Sequence, residues 1–311
     1  MNGKTDYLAE FEPAYMELVN SGEIDNRIEK LFSKLEQCDI CPRNCGVNRL
    51  DGEIGYCQAG TDLLVSSVQP HFWEETPLAG IGGSGTVFLA NCNLRCVYCQ
   101  NYDISHEGSG NPITEDQLAD SLLWLQRIGC HNINFVTPTH YTPHLVKAVA
   151  IAAKKGLRLP VVYNCSGYED VGTLELLDGI VDIYMPDIKY GGTGSAKLYS
   201  DAPDYFEVCK QAVHEMHRQV GDLVIDRTIS WHGLLIRHLV LPNNVADSLQ
   251  VLEFIANEIS RESYVNIMPQ YRPTYRALEF EDIDRAVYIE EYYNVLDMAR
   301  GLGLHRGFPN E

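Results

Sequence analysis

From Thr86 onward the chain repeats one pattern, a short apolar run of strand length followed by a longer stretch with helical spacing. Strands joined through helices run parallel and are covered on their faces by those helices, so this alternation constrains the fold more than any other feature. Six strands are read, at 86–90, 133–136, 160–163, 183–185, 236–240 and 265–268. The helix between the first two has its own start signal: Thr114 and Gln117 stand at capping-box spacing, ahead of Leu118, Leu122 and Leu125 on one face. Another helix spans about 144–155 and stops at Gly156, where a left-handed residue closes helices. The last, about 284–300, is expected to present Ala286, Ile289, Leu296 and Ala299 to the core. The roughly 215 residues involved hold about six βα units of about 30 residues, fewer than the eight of a full barrel. The expected fold is α/β, a partial (β/α)6 TIM-like barrel.

Ahead of it, residues 7–35 alternate apolar and acidic positions at helical spacing, suggesting one or two amphipathic helices. They lead into a cysteine group at 38–57 that contains Pro42, Gly46, Gly52 and Gly55 and reads as a knuckle of turns. The expected division is residues 1–75, a helical segment with a four-cysteine metal knuckle, and 76–311, the barrel. Hydrophobic residues make up 45% of the chain, yet no apolar run reaches membrane-spanning length and the N-terminus does not read as a secretion signal. A cytoplasmic protein without a membrane partner is expected. The formal net charge of −19 opposes nucleic-acid binding, which depends on Lys and Arg displacing counterions. Ten cysteines suit metal binding better than disulfides in a reducing compartment. Seven of them fall in the groups at 38–57 and 92–99; Cys130, Cys165 and Cys209 stand apart.

Cys92, Cys96 and Cys99 follow directly on the first strand, at the strand end where parallel sheets build their sites. Three thiolates fix three irons of a cubane and leave the fourth open, whereas a closed electron-transfer cluster takes four. Two other readings are a three-cysteine remnant of a zinc site and an electron-transfer cluster with a distant fourth ligand. Zinc motifs favour paired C-x-x-C units. Cys130, the available distant cysteine, sits at the start of the second strand, at the opposite end of the barrel.

The run Cys92-x-x-x-Cys96-x-Tyr98-Cys99 resembles the signature of the radical S-adenosylmethionine superfamily. With Gly85-Thr86-Val87-Phe88 before it and Cys99-Gln100-Asn101 after it, the segment is similar to the pyruvate formate-lyase-activating enzyme family, in particular to relatives with an extra cysteine knuckle. The resemblance implies a [4Fe–4S] cluster on Cys92, Cys96 and Cys99 as the catalytic centre. Its open iron would chelate S-adenosylmethionine, cleave it to methionine and a 5′-deoxyadenosyl radical, and so abstract hydrogen from a substrate. It also implies a low-potential electron donor such as ferredoxin or flavodoxin, and a protein substrate.

Cofactor contacts carried over by the resemblance are Tyr98, Asn101, Thr137, Thr139, Asn164, Ser166, Asp187 and Lys189. Asp187 and Lys189 stand for the family's Asp-x-Lys element. Asn164-Cys165-Ser166-Gly167 takes the place of Asp-Thr-Asn-Gly, with the acidic residue replaced. Where the superfamily has Gly-Gly-Glu to receive the methionine amino group, this chain has Val136-Thr137-Pro138-Thr139-His140. Thr137 and Thr139 offer hydroxyl oxygens there in place of a carboxylate. Pro269-Gln270-Tyr271-Arg272 would wall the pocket. His140 and His144 have the spacing of a helical metal pair, but substrate contact or capping is the stronger reading for them.

Cys38, Cys41, Cys45 and Cys57 supply four soft ligands, suited to structural zinc or a second iron–sulfur cluster, with zinc slightly favoured. Residues 80–85 match a dinucleotide fingerprint but precede a strand, so they are read as a flexible approach to the cluster. Cys130, Cys165 and Cys209 are read as small buried apolar residues, Cys165 lying at a strand end that faces the site. The leading function is hydrogen abstraction from a protein by a glycyl-radical activase. Small-molecule or RNA modification by the same chemistry and a non-catalytic iron–sulfur electron carrier are the alternatives.

Overall fold

The computed structural model describes residues 11–308. Among them, nine strands form one sheet: β1 (Leu63–His71), β2 (Ser84–Leu89), β3 (Asn111–Ile113), β4 (Ile133–Val136), β5 (Val161–Cys165), β6 (Ile183–Pro186), β7 (Val224–Asp226), β8 (Ile229–Leu239) and β9 (Tyr264–Met268). The six strands expected from the sequence are β2, β4, β5, β6, β8 and β9, which run parallel in that order. Three others were not foreseen: β1 pairs antiparallel with β2, β3 with β1, and β7 with β8. The result is a partial (β/α)6 barrel extended at one edge by β1 and β3.

Period-two alternation divides β5, β6 and β8 between two cores. Val87, Phe135, Val161, Tyr163, Tyr184, Ile236 and Ile267 face the helices in the main core. Their neighbours Val162, Ile183, Met185 and Leu235 point inside the curl, where they meet Leu78 and Leu223 in a second, smaller core. Leu78 belongs to the connector between β1 and β2, which thereby enters the barrel at the end where the strands begin. Glu75 of the same connector accepts two 2.9 Å hydrogen bonds from Asn266 Nδ2 on β9, and Glu74 accepts one of 2.9 Å from Asn134 on β4.

The glycines at 80–85 serve close packing at this same end and are not an approach to the cysteines. A Cβ at Gly82 would stand 1.9 Å from Gly129 O, and one at Gly85 2.5 Å from Asn132 O.

The helix Glu115–Ile128 has the expected capping box: Thr114 Oγ1 accepts from Gln117 N at 3.2 Å, and Gln117 Oε1 accepts from Thr114 N at 2.9 Å. Leu118, Leu122 and Leu125 are fully buried. Thr142–Lys154 ends before Gly156, whose φ of +105° is the left-handed closure anticipated. The last helix differs. It begins at Ile289, where Glu291 accepts the Tyr288 N–H and pairs with Arg285, and this later start changes the buried face. Tyr292, Val295, Leu296 and Ala299 are buried, while Ile289 is 56% exposed and Ala286 lies outside the helix.

At the N-terminal side, Tyr15–Ser21 and Glu23–Ser33 turn at Gly22 and pack on Thr142–Lys154. Asp182 ties them to the sheet, accepting 2.8 Å hydrogen bonds from Ala14 N and Val161 N. No helix among the described residues is long and apolar enough to cross a membrane.

Candidate cluster site

β2 ends at Leu89, and Asn91 (φ +70°) turns the chain out of the sheet into the loop that carries Cys92, Cys96 and Cys99. Few of this loop's main-chain groups pair with one another, so neighbouring elements hold it. Val97 N donates to Tyr199 O at 2.8 Å and Arg95 N to Ser200 O at 3.4 Å, both at the C-terminal end of the helix Thr193–Ser200. Arg276 N donates to Val97 O from the far side at 2.9 Å. Asn93 Nδ2 donates to Tyr168 O at 2.8 Å. His140 is fully buried, with Nε2 2.8 Å from Ala90 O, and burial drives its pKa down to about 3. It is therefore a neutral strut under the strand end, and His144 pairs with Glu115 at 3.0 Å. Neither histidine is placed for substrate contact or for a shared metal.

The three thiols interact electrostatically with one another. Burial pushes the Cys92 thiol up to about 12, with Cys96 adding to the effect and the Leu94 N–H, 3.4 Å from Cys92 Sγ, opposing it. The Lys189 ammonium acts on both Cys92 and Cys96, opposing the effect of burial. Its Nζ lies 2.7 Å from Asp187 Oδ2, and Asp187 Oδ1 lies 2.7 Å from Arg237 Nε. Arg237 also donates to Asn164 Oδ1 at 2.8 Å and reaches Glu74 Oε1 at 3.5 Å. Burial opposes ionisation of Asp187, but Arg237 and then Lys189 overcome it and hold the carboxyl below its usual range. A polar column thus rises through the barrel, from Glu74 through Arg237 and Asp187 to Lys189 beneath the cysteines.

Other sequence-predicted residues are placed as follows. Tyr98 is buried edge-on to Tyr190 and Tyr271, at centroid distances of 6.4 and 5.8 Å. Thr137, half-buried, adopts φ +59°, an uncommon conformation for a β-branched residue, and its N–H donates to Asn164 O at 2.9 Å. Thr139 faces away from the barrel interior, its hydroxyl donating to Glu169 at 2.7 Å. Ser166 Oγ accepts from Tyr168 N at 3.4 Å, and Asn101 is exposed. Cys165 does not face the site: it is buried in the main core against the helix layer, near Glu169 and Cys209. In the Pro269–Arg272 stretch, Tyr271 packs inward and its hydroxyl donates to Ile283 O at 2.7 Å, while Gln270 and Arg272 are exposed.

Sequence reasoning missed Arg237, Ser105, Ser200 and Glu169. Arg237 had a local signal, a charge interrupting the apolar run Leu234-Leu235-Ile236 to Leu239-Val240. Glu169, 2% exposed, accepts from Thr139 and from Tyr163 at 3.3 Å, yet burial still pushes its pKa up to about 8.

The donor set fits a cubane. Among the described residues, no three His, Cys, Asp or Glu side chains are gathered about a single metal ion. A cubane does not require this, because each thiolate binds its own iron. Cys130 stands beside Gly85 at the start of the strands, far from the triad's end, and Cys209 lies in the helix layer. In the knuckle, Cys38, Cys41 and Cys57 are buried, and Cys57 interacts with both Cys38 and Cys45. Cys45 Sγ accepts from Tyr56 N at 3.3 Å.

The knuckle is fastened to the cysteine loop. Arg43 Nε donates to Asn93 O at 2.9 Å, and Arg95 donates to Tyr56 O at 3.1 Å. Both guanidiniums lie against the Tyr56 ring, with Arg43 Cζ 3.8 Å and Arg95 Cζ 5.6 Å from its centroid. Buried Arg49 joins the knuckle to His140 O at 2.7 Å.

Comparison with known proteins bears on this site. The uncharacterized protein MJ0674 of Methanocaldococcus jannaschii is 30% identical over 296 residues, 93% of this chain and 82% of that protein. MJ0808 of the same organism is 25% identical over 308 residues, 90% of this chain and 81% of that protein. Two solved structures, native anSMEcpe with bound AdoMet and methylornithine synthase (PylB), are 13% and 16% identical, with TM-scores of 0.45 and 0.44. They match 68% and 69% of this chain, which spans 56% and 62% of theirs. The description "Radical SAM superfamily" matches residues 86–238, a stretch that begins in β2, contains all three cysteines and ends in β8 one residue past Arg237. With the triad at the mouth of a partial barrel and the family match running through it, the chain belongs to the radical SAM superfamily of enzymes.

Proposed function

We propose that this enzyme abstracts a hydrogen atom from a protein substrate, in the manner of an activase that installs a glycyl radical. Cys92, Cys96 and Cys99 would hold the [4Fe–4S] cluster, and the observation that carries the reading is a three-thiol set at the barrel mouth beside the Asp187–Lys189 pair. When bound, the cluster and S-adenosylmethionine supply reductive cleavage of the sulfonium and the 5′-deoxyadenosyl radical. Asp187 and Lys189 would bind polar groups of S-adenosylmethionine, with Arg237 fixing the carboxylate's orientation from below. Tyr98, Tyr190 and Tyr271 form a buried aromatic wall behind the cysteine loop that keeps water from it. The four-cysteine knuckle, whose thiols are not drawn together about one point, would hold a second iron–sulfur cluster or, on closing in, structural zinc, in a unit of residues 1–75 that also gives β1 to the sheet of the barrel at 76–311.

Anaerobic reconstitution and dithionite reduction should yield 5′-deoxyadenosine from S-adenosylmethionine. No product above a Cys96→Ala control would sink the enzymatic reading. For the substrate, a glycine-containing peptide should yield a glycyl radical doublet by electron paramagnetic resonance. Product formation with small molecules and none with peptides would move the assignment to small-molecule modification.

A further inference from the structure

Two of the three triad sulfurs have a serine hydroxyl against them. Ser200 Oγ lies 3.0 Å from Cys96 Sγ, and Ser105 Oγ lies 3.1 Å from Cys99 Sγ. Both serines are buried and come from separate elements, the last turn of Thr193–Ser200 and the end of the short helix Tyr102–Ser105. Each has a second polar partner behind it. Tyr190 Oη is 2.7 Å from Ser200 Oγ, and His106 Nδ1 is 2.8 Å from Ser105 Oγ. Both backing rings are held by further aromatics: Tyr190 edge-on to Tyr98 and Tyr205, and His106 against Tyr275, which itself stacks on Tyr102. Cys92 lacks this arrangement and accepts from a main-chain N–H.

The proton count then decides direction. A serine hydroxyl has one proton to give and two lone pairs to receive. A thiolate bound to iron carries no proton, so each serine must donate to sulfur and its backing group must donate to the serine. Tyr190 does this through its hydroxyl. His106 does it through an Nδ1–H, which fixes its tautomer and leaves Nε2, buried and without a hydrogen-bond partner, as the unprotonated nitrogen.

We propose that Ser200 and Ser105, oriented by Tyr190 and His106, are positioning residues that set how readily the cluster on Cys92, Cys96 and Cys99 accepts its electron. The inference rests on the reading that this triad holds the cluster. The step is a one-electron reduction by a low-potential iron–sulfur or flavin donor, with no bond made or broken. Hydrogen bonds to ligating sulfur stabilise the added negative charge, and they act more strongly where water is excluded.

The test is a redox titration of the reconstituted full-length protein, followed by electron paramagnetic resonance, for wild type, Ser200→Ala, Ser105→Ala and the hydroxyl-retaining Ser200→Thr and Ser105→Thr. At a fixed applied potential each alanine variant should show a reduced-to-oxidised ratio about tenfold lower, a shift of roughly 59 mV for a one-electron couple. The threonine variants should stay within about twofold of wild type, and iron–sulfur stretching bands in resonance Raman should rise in frequency only in the alanine pair. Unchanged potentials and bands in fully iron-loaded alanine variants would overturn the proposal. If alanine prevents cluster assembly, Tyr190→Phe and His106→Phe, which keep both serines, decide it: a lowered ratio supports the proposal, and a wild-type ratio in both overturns it. Adding S-adenosylmethionine to the wild type separates the two readings. Altered potentials with a cluster signal indifferent to that compound would end the functional proposal and leave this inference standing.

Discussion

Arg237 satisfies three acceptors from three parts of the chain, Asp187, Asn164 and Glu74, with its side chain only 16% exposed. Arg237→Ala would leave Glu74 in the barrel without its cation and Asp187 with Lys189 alone, and breaking a buried pair in this way costs about 3–5 kcal/mol. Denaturant unfolding of the metal-loaded protein should show a loss of that size. Arg237→Lys should recover little of it, because an ammonium cannot present the planar fork that reaches all three acceptors.

Glu169 gives a pH signature. Its folded pKa of about 8 lies above the ordinary 4.5, so between those values folding takes up a proton. The stability it permits is complete below about pH 4.5 and is lost as the pH rises to about 8, at up to roughly 1.4 kcal/mol per unit. His140 and His238, buried as neutral rings with pKa values driven down to about 3 and about 4, act oppositely and remove stability as the pH falls below 6.5. Glu169→Gln should therefore flatten the alkaline side of a stability-against-pH curve and leave the acid side in place.

At the scale of elements, the capping box of Glu115–Ile128 is testable by itself: Thr114→Ala should cost about 1 kcal/mol in thermal or denaturant unfolding. This helix and the six parallel strands were legible because their signals are local, a cap at fixed spacing and apolar runs at strand length. β1 was hidden for a physical reason. As Leu63–His71 it carries two serines, a glutamine and a proline, and only Leu63 and Val65 are buried, as befits a half-covered antiparallel strand near the sheet's edge. β3 has three residues, too few to show any period. The site divides in the same way. Cys92, Cys96 and Cys99 declare themselves within eight positions, whereas Ser200 meets Cys96 across 104 residues and Arg237 meets Asn164 across 73. Cys165 was misplaced because strand ends alternate. One residue's change of parity turns a side chain from the barrel interior to the helix layer.

For the whole molecule, the balance of metals is the deciding measurement. Protein purified without oxygen should hold about four irons and about one zinc if the knuckle is a structural zinc site; about eight irons and no zinc would refute it. Where the knuckle metal is zinc, a strong chelator should unfold the knuckle, since structural zinc contributes roughly 10–16 kcal/mol of apparent binding free energy to segments of this kind. The loss should reach the barrel. Arg43 sits two residues after Cys41 and holds the carbonyl next to Cys92, while Arg95 sits beside Cys96 and holds the carbonyl next to Cys57. The two loops are thus clasped like interlaced fingers, each lending an arm to its neighbour's hinge. A metal seated in one loop would steady the other, and maturation would then be an ordered assembly in which the first metal delivered prepares the seat for the second.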